Sequence, residues 1–89
     1  MQTSITKISM KINSEESPVK AYVSIVLNNS VKINGIKLVS SENGKLFVVL
    51  PENSENRIQF VVPMDNYFRQ YIDKTLIERY FKLKSALNK

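Results

Sequence analysis

Residues 21–51, AYVSIVLNNSVKINGIKLVSSENGKLFVVLP, decide how the rest of the chain is read. Three apolar runs are separated by two turn signals, Asn28-Asn29-Ser30 and Ser40-Ser41-Glu42-Asn43-Gly44. Short β-branched and aromatic runs bounded by Asn, Ser and Gly are the pattern of consecutive hairpin strands. In the first run Ala21, Val23, Ile25 and Leu27 point one way, and Tyr22, Ser24 and Val26 the other. The face carrying Tyr22 and Val26 is too apolar for a fully wet surface and calls for cover from a helix or a partner chain. In the second run Val31 and Ile33 share a phase, whereas Ile36 and Leu38 have the opposite parity. Gly35 lies between them, and an isolated glycine in a strand pattern predicts a bulge that restores the inward face after one extra residue. The third run, Lys45 to Leu50, is apolar on both faces, as a central or doubly covered strand would be.

Upstream, Ile8, Met10 and Ile12 alternate with Ser9, Lys11 and Asn13, which predicts a half-buried first strand. A polar turn follows and ends at Pro18, which cannot donate to a ladder. Downstream, Pro51 stops the third run, Glu52 to Asn56 is a polar loop, and Arg57 to Val62 reads as a fifth strand with Ile58, Phe60 and Val62 on one face. The period then changes. Asp65 or Asn66 is placed to cap a helix after Pro63. Phe68, Ile72, Leu76, Tyr80, Leu83 and Leu87 recur at spacings of four and three, an amphipathic helix of about five turns. Ile77 and Phe81 lie off that stripe, either as scattered surface apolars or as a second contact face. The expected fold is α+β: an antiparallel β-sheet of four to five strands followed by one C-terminal amphipathic helix. It forms a single domain over residues 1–89, with 1–4 and 86–89 frayed. Such a small sheet with two apolar faces and one helix leaves apolar area to cover, by edge pairing or face packing in a homodimer.

The chain has 89 residues, no cysteine and no histidine. Disulfides, thiolate metal sites and thiol nucleophiles are therefore excluded, and the commonest general base is missing. A hydrolase would need paired carboxylates, a lysine base or a serine-lysine pair. The neighbouring acids Glu15-Glu16 and Glu52/Glu55 fall in turns, where solvated charge explains them. No catalytic residue, metal site or cofactor is expected, and the chain does not read as an enzyme. With neither a long apolar run nor a charged segment leading into one, no membrane contact or signal peptide is expected. A cytoplasmic location fits.

Thirteen Lys/Arg against eight Asp/Glu leave a formal charge of +5, which either serves solubility alone or points to an anionic partner such as nucleic acid. Arg69, Lys74, Arg79, Lys82, Lys84 and Lys89 are opposed only by Asp73 and Glu78 in the C-terminal segment. Lys82, Lys84 and Lys89 sit where the helix dipole favours cations, an explanation that needs no ligand. Lys7, Lys11, Lys32 and Lys37 fall on strands and could line one surface. With Tyr22, Phe47 and Phe60 they offer phosphate contacts and stacking, although apolar strands bury their aromatics first, so core packing is the default role of each ring.

Ala21-Tyr22-Val23-Ser24-Ile25, then Ile36-Lys37-Leu38-Val39, then Gly44-Lys45-Leu46-Phe47-Val48-Val49-Leu50-Pro51 resemble the successive signatures of the stage V sporulation protein G (SpoVG) family, roughly AYVSIT, DIRVI and GLFVAMP. Ile5 to Lys11 resembles its ITDVRIR start, and Val62-Pro63-Met64 followed by Arg69, Ile72 and Tyr80 resembles its helix. The resemblance covers about residues 5 to 83, in order. It implies a small cytoplasmic bacterial regulator of sporulation, septation and gene expression, a homodimer that binds DNA or RNA. Lys11 and Lys37 stand at basic positions of the family's signatures, and Arg57 lies near the end of its basic loop. Where that loop carries a basic run implicated in nucleic-acid contact, this chain has Glu52-Asn53-Ser54-Glu55, and the family's His before Pro is Val62. The resemblance and the charge together nominate Lys11, Lys37, Arg57, Arg69, Lys82 and Lys84 as nucleic-acid-binding residues. The alternative is a protein-interaction module of the cell-division machinery that uses Ile77 and Phe81 and ignores nucleic acid.

Overall fold

A computed structural model describes residues 3–14, 16–52, 55–56, 58 and 60–87. Four strands, β1 (Ile5–Ile12), β2 (Val19–Leu27), β3 (Val31–Ser40) and β4 (Leu46–Val49), precede one helix, α1 (Asn66–Leu87). The strands pair antiparallel in chain order, β1-β2-β3-β4. This is the expected α+β arrangement, with four strands. The β2–β3 connection turns at Asn28 and Asn29, both at positive φ (51° and 53°), and the Ser30 amide donates to the Leu27 carbonyl at 2.9 Å. Two positive φ values match the right-handed twist of the flanking strands, and asparagine tolerates that region better than most residues.

The bulge forms at Gly35. Val23 lies opposite Ile36 while Ile25 lies opposite Ile33, so two steps on β2 span three on β3. Gly35 sits at φ +83°, where an L side chain is strained. Ile33, Ile36 and Leu38 are consequently all buried, despite their mixed parity. They join Ala21, Val23, Ile25, Val48 and Leu50 in one core face, covered by Ile72, Leu76 and Tyr80 of the helix.

The helix begins at Asp65, whose carboxylate accepts the Tyr67 amide at 2.9 Å and satisfies a donor left over at the first turn. Phe68 and Ile77 pack at the core margin, so Ile77 is no second contact face; Leu87, at the end of the apolar stripe, is exposed. Two polar contacts tie the helix to both edges of the sheet. The Arg69 guanidinium donates to the Val48 carbonyl of β4 at 2.6 Å, and the Tyr71 hydroxyl accepts the Ile5 amide of β1 at 2.9 Å.

Two expectations are corrected. The apolar third run is an edge strand and not a central one, because among the described residues β4 pairs with β3 alone. Of its inward residues Val48 and Leu50 are buried and Leu46 partly so, while Phe47 on the other side is 42% exposed. The fifth strand does not form among the described residues of 57–62. Pro51 has no amide to continue the ladder and Pro63 closes the segment; the Phe60 amide donates to the Pro51 carbonyl at 2.9 Å. Ile58, Phe60 and Val62 point to solvent, and Val61, of the opposite parity, meets the core instead.

Candidate nucleic-acid interface

The sheet has one covered face and one open face. The residues directly opposite one another define the open face. Lys11 of β1 faces Tyr22 of β2, Tyr22 faces Lys37 of β3, and Lys37 faces Val49 of β4, a single row across the whole sheet. A second row runs Lys7–Val26–Lys32. Between them Ser9 lies opposite Ser24, next to the bulged Asn34-Gly35. With strands spaced about 4.8 Å apart, the backbones of Lys11 and Lys37 stand about 10 Å apart with Tyr22 midway. All four lysines are exposed. No Asp or Glu occurs in any of the four strand segments; all eight acids fall in the connections and the helix. The strands themselves therefore bring only ammonium charges to the open face, and Glu52 shares a small hollow with Lys37 at its rim.

Neither Tyr22 nor Phe47 takes the core role expected of strand aromatics. Tyr22 is 46% exposed within its lysine row, and Phe47 lies on the same open face opposite Val39. Phe60 lies on the connection between β4 and α1 and is also exposed. A shallow depression of about 360 Å³ opens beside Tyr22, lined by Ser9, Lys11, Ser24, Asn34 and Gly35 among others. The sequence alone gave no sign of it, because it depends on which small residues two neighbouring strands place side by side.

The other nominated residues are dispersed. Arg69 is held against the protein, its guanidinium on the Val48 carbonyl and 3.2 Å from the Asp73 carboxylate. Lys84 lies over the Tyr80 ring, 5.8 Å from its centroid, and Lys82 is exposed on the helix. Arg57 lies outside the described residues. Of the six, the sheet register brings together Lys11 and Lys37. Among the described residues, no helix is long and apolar enough to cross a membrane, and no cluster of His, Cys, Asp and Glu could hold a metal ion.

Residues 2–82 match the SpoVG family. The chain belongs to the SpoVG family. Similar proteins bear the name septation protein SpoVG. One from Clostridium perfringens strain SM101 is 30% identical over 84 residues, covering 91% of this chain and 92% of the relative. Another from Caldicellulosiruptor saccharolyticus is 27% identical over 85 residues, covering 92% and 96%. A third, from Caldanaerobacter subterraneus, is 28% identical over 83 residues, covering 90% of each. SpoVG is a family named for septation and sporulation and not for an enzymatic activity.

Proposed function

We propose that this SpoVG-family chain is a homodimeric, cytoplasmic regulator that binds DNA or RNA, with a role in septation or sporulation. The observation that carries the nucleic-acid reading is the open sheet face, which gathers Lys7, Lys11, Lys32 and Lys37 on strands devoid of acidic residues. Phosphate neutralisation by such a face is sequence-tolerant and driven by counterion release. The test is fluorescence anisotropy of labelled DNA and RNA at low and high salt. Salt-sensitive binding at micromolar affinity or better is the expected result; absence of binding at low salt defeats the reading. The homodimer is supported by the exposed Ile58, Phe60, Val62, Met64 and Tyr67 along the connection into α1, an apolar run that a second copy would cover. Sedimentation equilibrium of concentrated protein should show dimer, and monomer alone would remove that part.

A second reading is favoured by Phe81, which is 55% exposed and stands edge-on to Tyr80 on the helix surface. It would anchor a protein partner of the division machinery without nucleic acid. A partner whose capture is lost on Phe81→Ala, with folding intact, would support this version, and capture unaffected by that change would count against it.

A further inference from the structure

Resting on the nucleic-acid reading, we infer that the open sheet face binds single-stranded nucleic acid and seats one unpaired base against Tyr22, in the depression beside the Gly35 bulge. The depression arises from three local features. Ser9 and Ser24, directly opposite each other, are too small to fill the space next to a tyrosine ring. The bulge then brings Asn34 and Gly35 to the same place, and glycine adds no side chain. What remains is a hollow of about 360 Å³ with an aromatic wall and polar groups around it. The two serine hydroxyls and the Asn34 amide can both donate and accept, which suits the mixed edge of a base.

The charges fit the same occupant. Lys11 and Lys37 flank Tyr22 in its row, so a backbone that places a base on the ring carries phosphates past an ammonium group on either side. Lys7 and Lys32 extend this positive track beyond the serine pair. Phe47, on the same face at the β4 edge, offers a second ring for a neighbouring base.

A duplex uses none of this beyond the lysines. Its bases are already stacked, and its major groove admits a helix or a two-stranded ribbon, not the breadth of a four-stranded sheet. Open four-stranded sheets that present aromatics between basic residues are a recurring platform for unpaired bases.

The experiment compares full-length wild-type, Tyr22→Ala and Tyr22→Phe proteins. The probes are fluorescein-labelled mixed-sequence DNA and RNA single strands of about 12 nucleotides, a length within common single-strand site sizes, and the matching DNA duplex. Circular dichroism checks that each variant folds, which the exposure of Tyr22 favours. Wild type should prefer the single strands. Tyr22→Ala should weaken single-strand binding by roughly 5- to 150-fold, the range for loss of one stacked base, and leave duplex binding unchanged. Tyr22→Phe, which keeps the ring, should retain most of the affinity. A Tyr22→Ala protein that binds single strands like wild type overturns the assignment, and so does equal wild-type affinity for single strands and duplex. In both cases phosphate binding by the lysines still stands. Failure of every probe to bind at low salt defeats the nucleic-acid reading itself.

Discussion

The dependence of affinity on salt counts the phosphates that the protein neutralises, and the open face makes a definite forecast of that count. Its rows present four lysines, Lys7, Lys11, Lys32 and Lys37. For a single strand each neutralised phosphate contributes about −0.7 to the slope of log K against log salt concentration, so four give a slope of about −2.8. Raising salt fourfold should then weaken binding by roughly 50-fold. The paired replacement Lys11→Gln with Lys37→Gln removes the two cations beside Tyr22 and should bring the slope to about −1.4. Replacing Lys82 and Lys84 with Gln should leave the slope near its wild-type value, because Lys82 lies on the helix and Lys84 is drawn over Tyr80. Anisotropy titrations at five or six salt concentrations, run on each protein, supply the slopes. The assignment to the sheet is refuted if the helix pair lowers the slope and the sheet pair does not.

Three further outcomes test the scaffold. Gly35→Ala places a side chain at φ +83°, where the added Cβ has room beside Pro51, so the cost is conformational, about 1–2 kcal/mol. Thermal denaturation should show a drop of roughly 5–15 °C, and an unchanged midpoint would mean that the backbone there is not held in that region. Leu76→Ala empties a fully buried site under the sheet and should cost about 2–5 kcal/mol in urea unfolding, a large part of the stability of a domain this size. Arg69→Met removes the hydrogen bond to the Val48 carbonyl and the ion pair with Asp73, both part-exposed, and should cost about 1 kcal/mol with no change in the salt slope; a reduced slope would place Arg69 on the nucleic acid after all.

Much of the fold is legible because its signals are local. Alternation along 21–27 identifies the buried side of β2, the parity change around Gly35 identifies the bulge, and the four-and-three spacing of Ile72, Leu76 and Tyr80 identifies the buried side of α1. Strand order is not local. The run Leu46–Val49 is apolar on both sides, and that signal fits a strand with two covers as well as an edge strand with an exposed ring; the pairing of β4 with β3 alone decides it. Period-two spacing is a weaker guide at Ile58, Phe60 and Val62, which alternate and are exposed with no strand among the described residues there. The candidate site was half visible. Four strand lysines could be noted one by one, yet whether Lys11, Tyr22 and Lys37 meet depends on how three strands slide against one another. Arg69 shows the converse: nothing in the sequence near it announces that its guanidinium reaches a carbonyl on β4.

The extra residue at the bulge also gives β3 one place where a change of length leaves its two sides in phase. Lys32 and Lys37 are an odd number of positions apart, so in an uninterrupted strand they would occupy opposite sides of the sheet. Deleting Asn34 or Gly35 would leave them four apart, so β3 would run uninterrupted with Lys32 and Lys37 still on one side and Ile33, Ile36 and Leu38 still on the other. Elsewhere in β3 the loss of one codon would exchange inside for outside beyond the cut, whereas at the bulge it removes only the residue that β2 leaves without a partner.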